Sequence, residues 1–257
     1  MKKILTLIIT LALSLVLVSC KGAMNLENDL IVVFYTDKGT EIPRIVNPEK
    51  GKPIARPADP EKLGYDFDDW YKDISFETKW NFETDTIEES TTIYAKYDII
   101  HYDIIYHVAE GESIANNKLT YTVAEDVFLR NTIKLGYTFN GWYLDAAFTK
   151  KIDRISKGTT GVVELYSRLA FKVSFDSTYL AAPKTILVDP NTEIPKNSTN
   201  NNILAPTRVG YTFGGWYDID TREYVDQQII PPAENLVDFA NKVITKEVTV
   251  YAYCIKN

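Results

Sequence analysis

The chain has 257 residues and a formal net charge of −7, with no concentrated basic cluster, so nucleic acid and anionic lipid headgroups are poor partners. Aromatic residues make up 12%, with 17 tyrosines, and together with many β-branched residues they favour strands over helices. Two cysteines, Cys20 and Cys254, and two histidines, His101 and His107, leave little for a disulfide framework, thiol catalysis or histidine-based metal binding.

At the N-terminus, Lys2 and Lys3 precede an unbroken run of apolar or small residues over positions 4–18. The run is too short to cross ~30 Å of hydrocarbon comfortably. It has the size of a signal-peptide h-region. It ends in Leu17-Val18-Ser19-Cys20, which resembles the lipobox of bacterial lipoproteins. There the cysteine thiol receives a diacylglyceryl group and the chain is cut just before it. The resemblance implies a signal peptide over residues 1–19, lipidation at Cys20, a lipidated cysteine and tether over 20–30, and an extracytoplasmic location. Membrane contact would run through the lipid, and two acyl chains on one residue anchor durably. Cys254 would then have no disulfide partner, and the mature fold would hold by packing alone.

Beyond the tether the chain repeats itself. Three segments align: Gly64-Tyr65-Asp66-Phe67-Asp68-Asp69-Trp70-Tyr71, Gly136-Tyr137-Thr138-Phe139-Asn140-Gly141-Trp142-Tyr143, and Gly210-Tyr211-Thr212-Phe213-Gly214-Gly215-Trp216-Tyr217. An aliphatic residue precedes each first glycine: Leu63, Leu135 and Val209. A strand-like run lies upstream each time, around Phe34, Tyr106 and Phe175. Another closes each unit, around Tyr94, Tyr166 and Tyr251. Phe34 to Trp70 and Tyr106 to Trp142 are both 36 residues, and Trp70 to Tyr94 and Trp142 to Tyr166 are both 24. The third unit is longer, which fits insertions near residues 197–202 and 231–241. The pattern predicts a mainly β chain of three small modules over 31–100, 101–170 and 171–257. The spacing of Leu236, Val237, Phe239, Ala240 and Val243 allows one short amphipathic helix.

Within the motif, Tyr65 and Phe67, Tyr137 and Phe139, and Tyr211 and Phe213 stand two apart and share one strand face. The tryptophan follows after a break in the alternation. In two units that break holds Gly141 or Gly215, which predicts a bulge that swings the indole back onto the core. A module of about 70 residues is short of core, and one aromatic side chain can bury ~150–250 Å2. Packing therefore accounts for Trp70, Trp142 and Trp216 better than ligand contact does. Prolines crowd the stretch before the first motif (Pro48, Pro53, Pro57, Pro60) and also precede the third (Pro190, Pro195, Pro206), where they mark turns or edges.

These residues resemble the Listeria–Bacteroides repeat, also called the internalin B-repeat, in three copies across most of residues 31–253. The third copy matches best. The second lacks the prolines before its motif, and the first carries Asp69 where the others have glycine. The resemblance implies α+β, β-grasp-like modules strung in tandem on bacterial surface proteins. It also implies surface attachment, adhesion or spacing, no catalysis, and no fixed ligand.

No catalytic constellation stands out, and no cofactor is expected. In one strand His101 and His107 would sit ~20 Å apart, too far for one metal ion. Asp66, Asp68, Asp69 and Asp73 lack the spacing of a calcium loop and read as a solvated acidic surface. Cys254 reads as a buried or inert strand residue, and Asn197-Ser198-Thr199 as a chance glycosylation sequence. The expectation is a non-enzymatic surface lipoprotein that binds a glycan, cell-wall or host-surface ligand. The alternative is a structural spacer or assembly component that meets only other envelope proteins.

Overall fold

The computed structural model describes residues 29–178, 183–194, 206–239 and 242–257. Residues 1–19, where a signal peptide is expected, and Cys20 lie outside the described residues, as do 197–202. The chain is mainly β and divides into two compact units. The first comprises the described residues up to 62 together with 67–97, and the second comprises 63–66 and 98 onward.

In the first unit, β1 (Ile31–Tyr35), β2 (Ile45–Val46), β3 (Tyr65–Tyr71) and β4 (Thr91–Ile99) form one sheet in the order β2-β1-β4-β3. β1 runs parallel to β4, with Phe34 opposite Ile93 and Tyr35 opposite Tyr94. Strand alternation decides what faces in: Val32 and Phe34 are buried, whereas Val33 and Tyr35 are exposed. A parallel pair needs a long crossover. A helix usually supplies it, but here Pro48, Pro53, Pro57 and Pro60 keep the stretch between β2 and β3 out of helical geometry. Ile54, Trp80 and Ile87 reach in from irregular chain and complete the core.

The second repeat reproduces this order. β5 (Tyr102–His107), β6 (Thr120–Tyr121), β8 (Thr138–Tyr143) and β11 (Val163–Asp176) pair as β6-β5-β11-β8, with β5 parallel to β11. β7 (Val127–Phe128) pairs with β10 (Arg154–Ile155), and β9 (Lys151–Ile152) extends the edge of β8. The third repeat is built on the same β11. β12 (Lys184–Val188), β14 (Tyr211–Tyr217) and β16 (Val248–Lys256) give the order β12-β11-β16-β14. A short ladder joins β13 (Thr192–Glu193) to β15 (Val243–Ile244).

β11 therefore serves two repeats. Val163 to Tyr166 pair in parallel with β5, and Val173 to Asp176 pair in parallel with β16. No glycine, proline or asparagine interrupts its 14 residues, so the second repeat passes into the third without a linker.

Among the described residues, the expected helix near residues 231–246 does not form; Ala240 lies outside them. Leu236 instead bridges to Tyr217, and the Val237 N–H donates to the Trp216 carbonyl at 2.9 Å. The apolar spacing there serves an edge of β14, preceded by a 3-10 turn at Ala233–Asn235. The helix lies earlier, as α1 (Arg222–Gln227), which buries only Val225 and so shows no 3.6-residue apolar period.

Candidate binding surface

The motif glycines open each unit in the same way. Gly136 and Gly210 have φ of +79° and +76°, and the next residue's N–H closes a turn onto Lys134 or Arg208. Only glycine adopts that left-handed position freely. Gly64 matches, with φ +78°. The preceding aliphatic points into solvent each time, and Leu135 and Val209 are both 98% exposed.

Past the turn, the phenylalanine and tryptophan meet a third ring from the first strand. Phe34, Tyr106 and Phe175 lie 5.1, 5.1 and 5.3 Å from Trp70, Trp142 and Trp216. Phe67, Phe139 and Phe213 lie 5.6, 5.6 and 5.5 Å from the same indoles. All three tryptophans are buried, at 0, 2 and 7% exposure. The motif tyrosine does not join this triad. Tyr137 stacks on Phe171 at 4.7 Å, and Tyr211 lies under the Arg208 guanidinium.

The bend comes from a bulge. Across from β11 the register skips Asn140, and across from β16 it skips Gly214. Gly141 and Gly215 follow at φ +131° and +130°. A Cβ on Gly215 would lie 2.7 Å from Leu236 Cδ1, and one on Gly141 would lie 2.3 Å from Lys151 Cε. Backbone strain of this kind is worth about 1–3 kcal/mol. Gly215→Ala is expected to destabilise the third repeat by about that much, read as a lowered denaturant midpoint. The first repeat solves the same corner with charge. Asp69 accepts from the Trp70 N–H and pairs with Arg56 at 2.9 Å and Lys79 at 3.4 Å.

A feature that motif reading missed is a cross-strand row on the outer sheet face. In the second repeat it runs His107, Tyr166, Tyr143, Lys151 through successive register partners. In the third it runs Asp176, Tyr251, Tyr217, Leu236. The first contributes Tyr35 opposite Tyr94, and Tyr71 bridged to Lys79. Phe76 covers Tyr71 and Phe148 covers Tyr143, each edge-on. At the open end, Tyr35 is 47% and Ile105 43% exposed. His107 stacks on Tyr166 at 4.2 Å, and both reach Glu164, which holds that carboxyl below the usual range. The third repeat differs. There α1 lies over the row, with Arg222 above the Tyr251 ring and paired with Asp176 at 2.8 Å.

The acidic cluster is engaged in bonds, not simply solvated. Asp68 accepts from the Tyr71 hydroxyl at 2.6 Å and pairs with Lys96 at 3.0 Å, which pulls its carboxyl down to about 2. Asp73 caps a turn by accepting from the Ser75 hydroxyl and the Glu77 and Thr78 N–H groups, and Asp145 does the same for Thr149 and Lys150. Among the described residues, no group of three or more His, Cys, Asp or Glu side chains converges as a metal site. Cys254 is a free thiol in β16, buried, and burial pushes its pKa up. His101 lies in the break before β5.

The lowered Asp68 carboxyl makes a pH prediction. A carboxylate depressed in the folded state stabilises it fully above the ordinary value of 3.8 and ceases to do so as pH falls through about 2. Asp68→Asn should lower the first repeat's midpoint at neutral pH. The gap from the parent should close as pH drops across that window. A gap that persists at pH 2 would assign the loss to shape and not to charge.

Comparison with known proteins bears on these repeats. The model of the Listeria-Bacteroides repeat domain matches residues 31–96, 102–168 and 171–253. A candidate membrane protein of Evansella cellulosilytica is 28% identical over 88% of this chain and 32% of its own length. A candidate Gly-rich membrane protein of the same organism is 30% identical over 72% of this chain and 21% of its own. Internalin H of Listeria monocytogenes is 34% identical over 45% of this chain and 21% of its own. The chain thus spans about a third or less of the length of these relatives. No helix among the described residues is long and apolar enough to cross a membrane.

Proposed function

Because the chain belongs to the Listeria-Bacteroides repeat family, in three copies, we propose that it is a non-enzymatic cell-surface protein whose repeats bind a ligand at the envelope. One observation carries this reading. The repeats share their buried triad and differ on the opposite face of the first strand: Val33 and Tyr35, then Ile105 and His107, all exposed, then Ser174, buried, and Asp176, half-buried. A constant core beneath a varied surface is what a binding scaffold needs. The names of its relatives, membrane proteins and an internalin, agree with a surface location. Cys20 is the proposed anchor. Cys20→Ser should move the chain from the membrane fraction into the medium or the soluble extracytoplasmic fraction.

The test is a titration of the labelled chain onto glycan arrays, purified peptidoglycan and host cells at two salt concentrations. Saturable binding is expected to at least one of them. A folded chain that binds none would favour the second reading, a spacer or assembly component. That reading has its own support in β11, which leaves the second and third repeats no flexible joint.

A further inference from the structure

Where the second repeat gives way to the third, a shallow cleft of about 300 Å3 opens beside the bulge in β8. Asn131, Phe139, Asn140, Lys151 and Asp153 line it from the second repeat, and Leu187 of β12 lines it from the third. Asn140 is the residue that the bulge pushes out of register. Bulges commonly re-aim a side chain in this way. Lys151 crosses the bare Gly141, and its amine donates to the Asn140 carbonyl at 2.6 Å. The Asn131 and Asn140 amides and the Asp153 carboxylate make no side-chain hydrogen bond or ion pair with any described residue.

The corresponding corner is filled by different residues in the other repeats. In the third, Leu236 lies across Gly215. In the first, Asp69 is tied to Arg56 and Lys79. In the second repeat the crossing residue is a lysine, and Asn131, Asn140 and Asp153 stand beside Phe139 and Leu187.

We propose that this cleft is a saccharide subsite that takes one neutral pyranose ring. The assignment rests on the binding reading above and supplies its ligand class. A volume near 300 Å3 sits at the low end for small-molecule sites, suited to a single ring. Phe139 and Leu187 meet the apolar C–H face of the sugar. Each asparagine amide both donates and accepts, and the Asp153 carboxylate accepts from hydroxyls. The single amine is already bonded and a carboxylate stands nearby, so an anionic ligand is disfavoured.

The test is a 1H–15N titration of the whole chain with glucose, galactose, mannose, N-acetylglucosamine and the tetramer of N-acetylglucosamine. At least one should give saturable shifts centred on residues 129–131, 139–142, 151–153 and 187. Leu187→Trp, which fills the cleft from an exposed position, and Asp153→Ala should each weaken that binding tenfold or more with the melting temperature unchanged. No shift from any sugar, shifts centred elsewhere, or shifts indifferent to Leu187→Trp would overturn the subsite. If Leu187→Trp still adheres fully to cells, the cleft is not the adhesive site, and the binding function stands without it. A parent chain that adheres to nothing removes the binding function itself, whatever the sugars show.

Discussion

Trp142→Ala is expected to destabilise the second and third repeats together, by about 3–5 kcal/mol. The indole is 2% exposed, touches Tyr106 and Phe139, and donates from Nε1 to the Arg130 carbonyl at 2.9 Å. Removing it leaves a cavity and takes one of two donors from that carbonyl, which the Asn117 amide also reaches at 3.1 Å. The loss should not stay in one repeat, because its strand partner β11 is also the first strand of the next. Denaturant unfolding followed by amide exchange should show residues 102–176 and 184–256 losing protection in one step. The first repeat has its own core and should keep its midpoint. An unchanged midpoint for the second repeat would show that the tryptophan does not carry its core.

Ala170→Pro should have a comparable effect by another route. Ala170 is fully buried in the middle of β11, opposite Thr138 and just before Phe171. Proline cannot donate to a ladder and fixes φ near −65°, so a lost bond and a kinked strand together cost about 3 kcal/mol. The predicted signature is a division of the single transition of the second and third repeats into two. If they still unfold as one, their coupling resides in contacts other than the strand, such as Tyr137 on Phe171 or Thr138 on Glu247.

Much of this architecture could be read from the residues. Phe67 and Trp70, with their counterparts, recur at fixed spacing because each packs against a first-strand ring at about the same distance. Gly141 and Gly215 announced the bulge because little else tolerates its backbone. The continuity of β11 was also visible, since positions 163–176 hold no glycine, proline or asparagine to break a strand across the repeat boundary near 170. What could not be read depends on neighbours from elsewhere in the chain. α1 buries a single residue and leaves no periodic trace. Asp73 and Asp145 look like surface acids until the backbone N–H groups they accept from are in place. The cleft needs Leu187 from the following repeat to close one wall. The outer row appears only once strand register sets His107 beside Tyr166 and Tyr166 beside Tyr143.

The central claim, a shared core that carries a binding surface, is tested most directly by hydrogen–deuterium exchange of the chain free and bound to the cell or wall material that captures it. The account predicts added protection at exposed positions, at Val33, Tyr35, Ile105, His107, Asn131, Lys151 and Asp153, with the buried triads already protected in both states. Protection confined to the triads, or no difference between the two states at saturating capture, would contradict it.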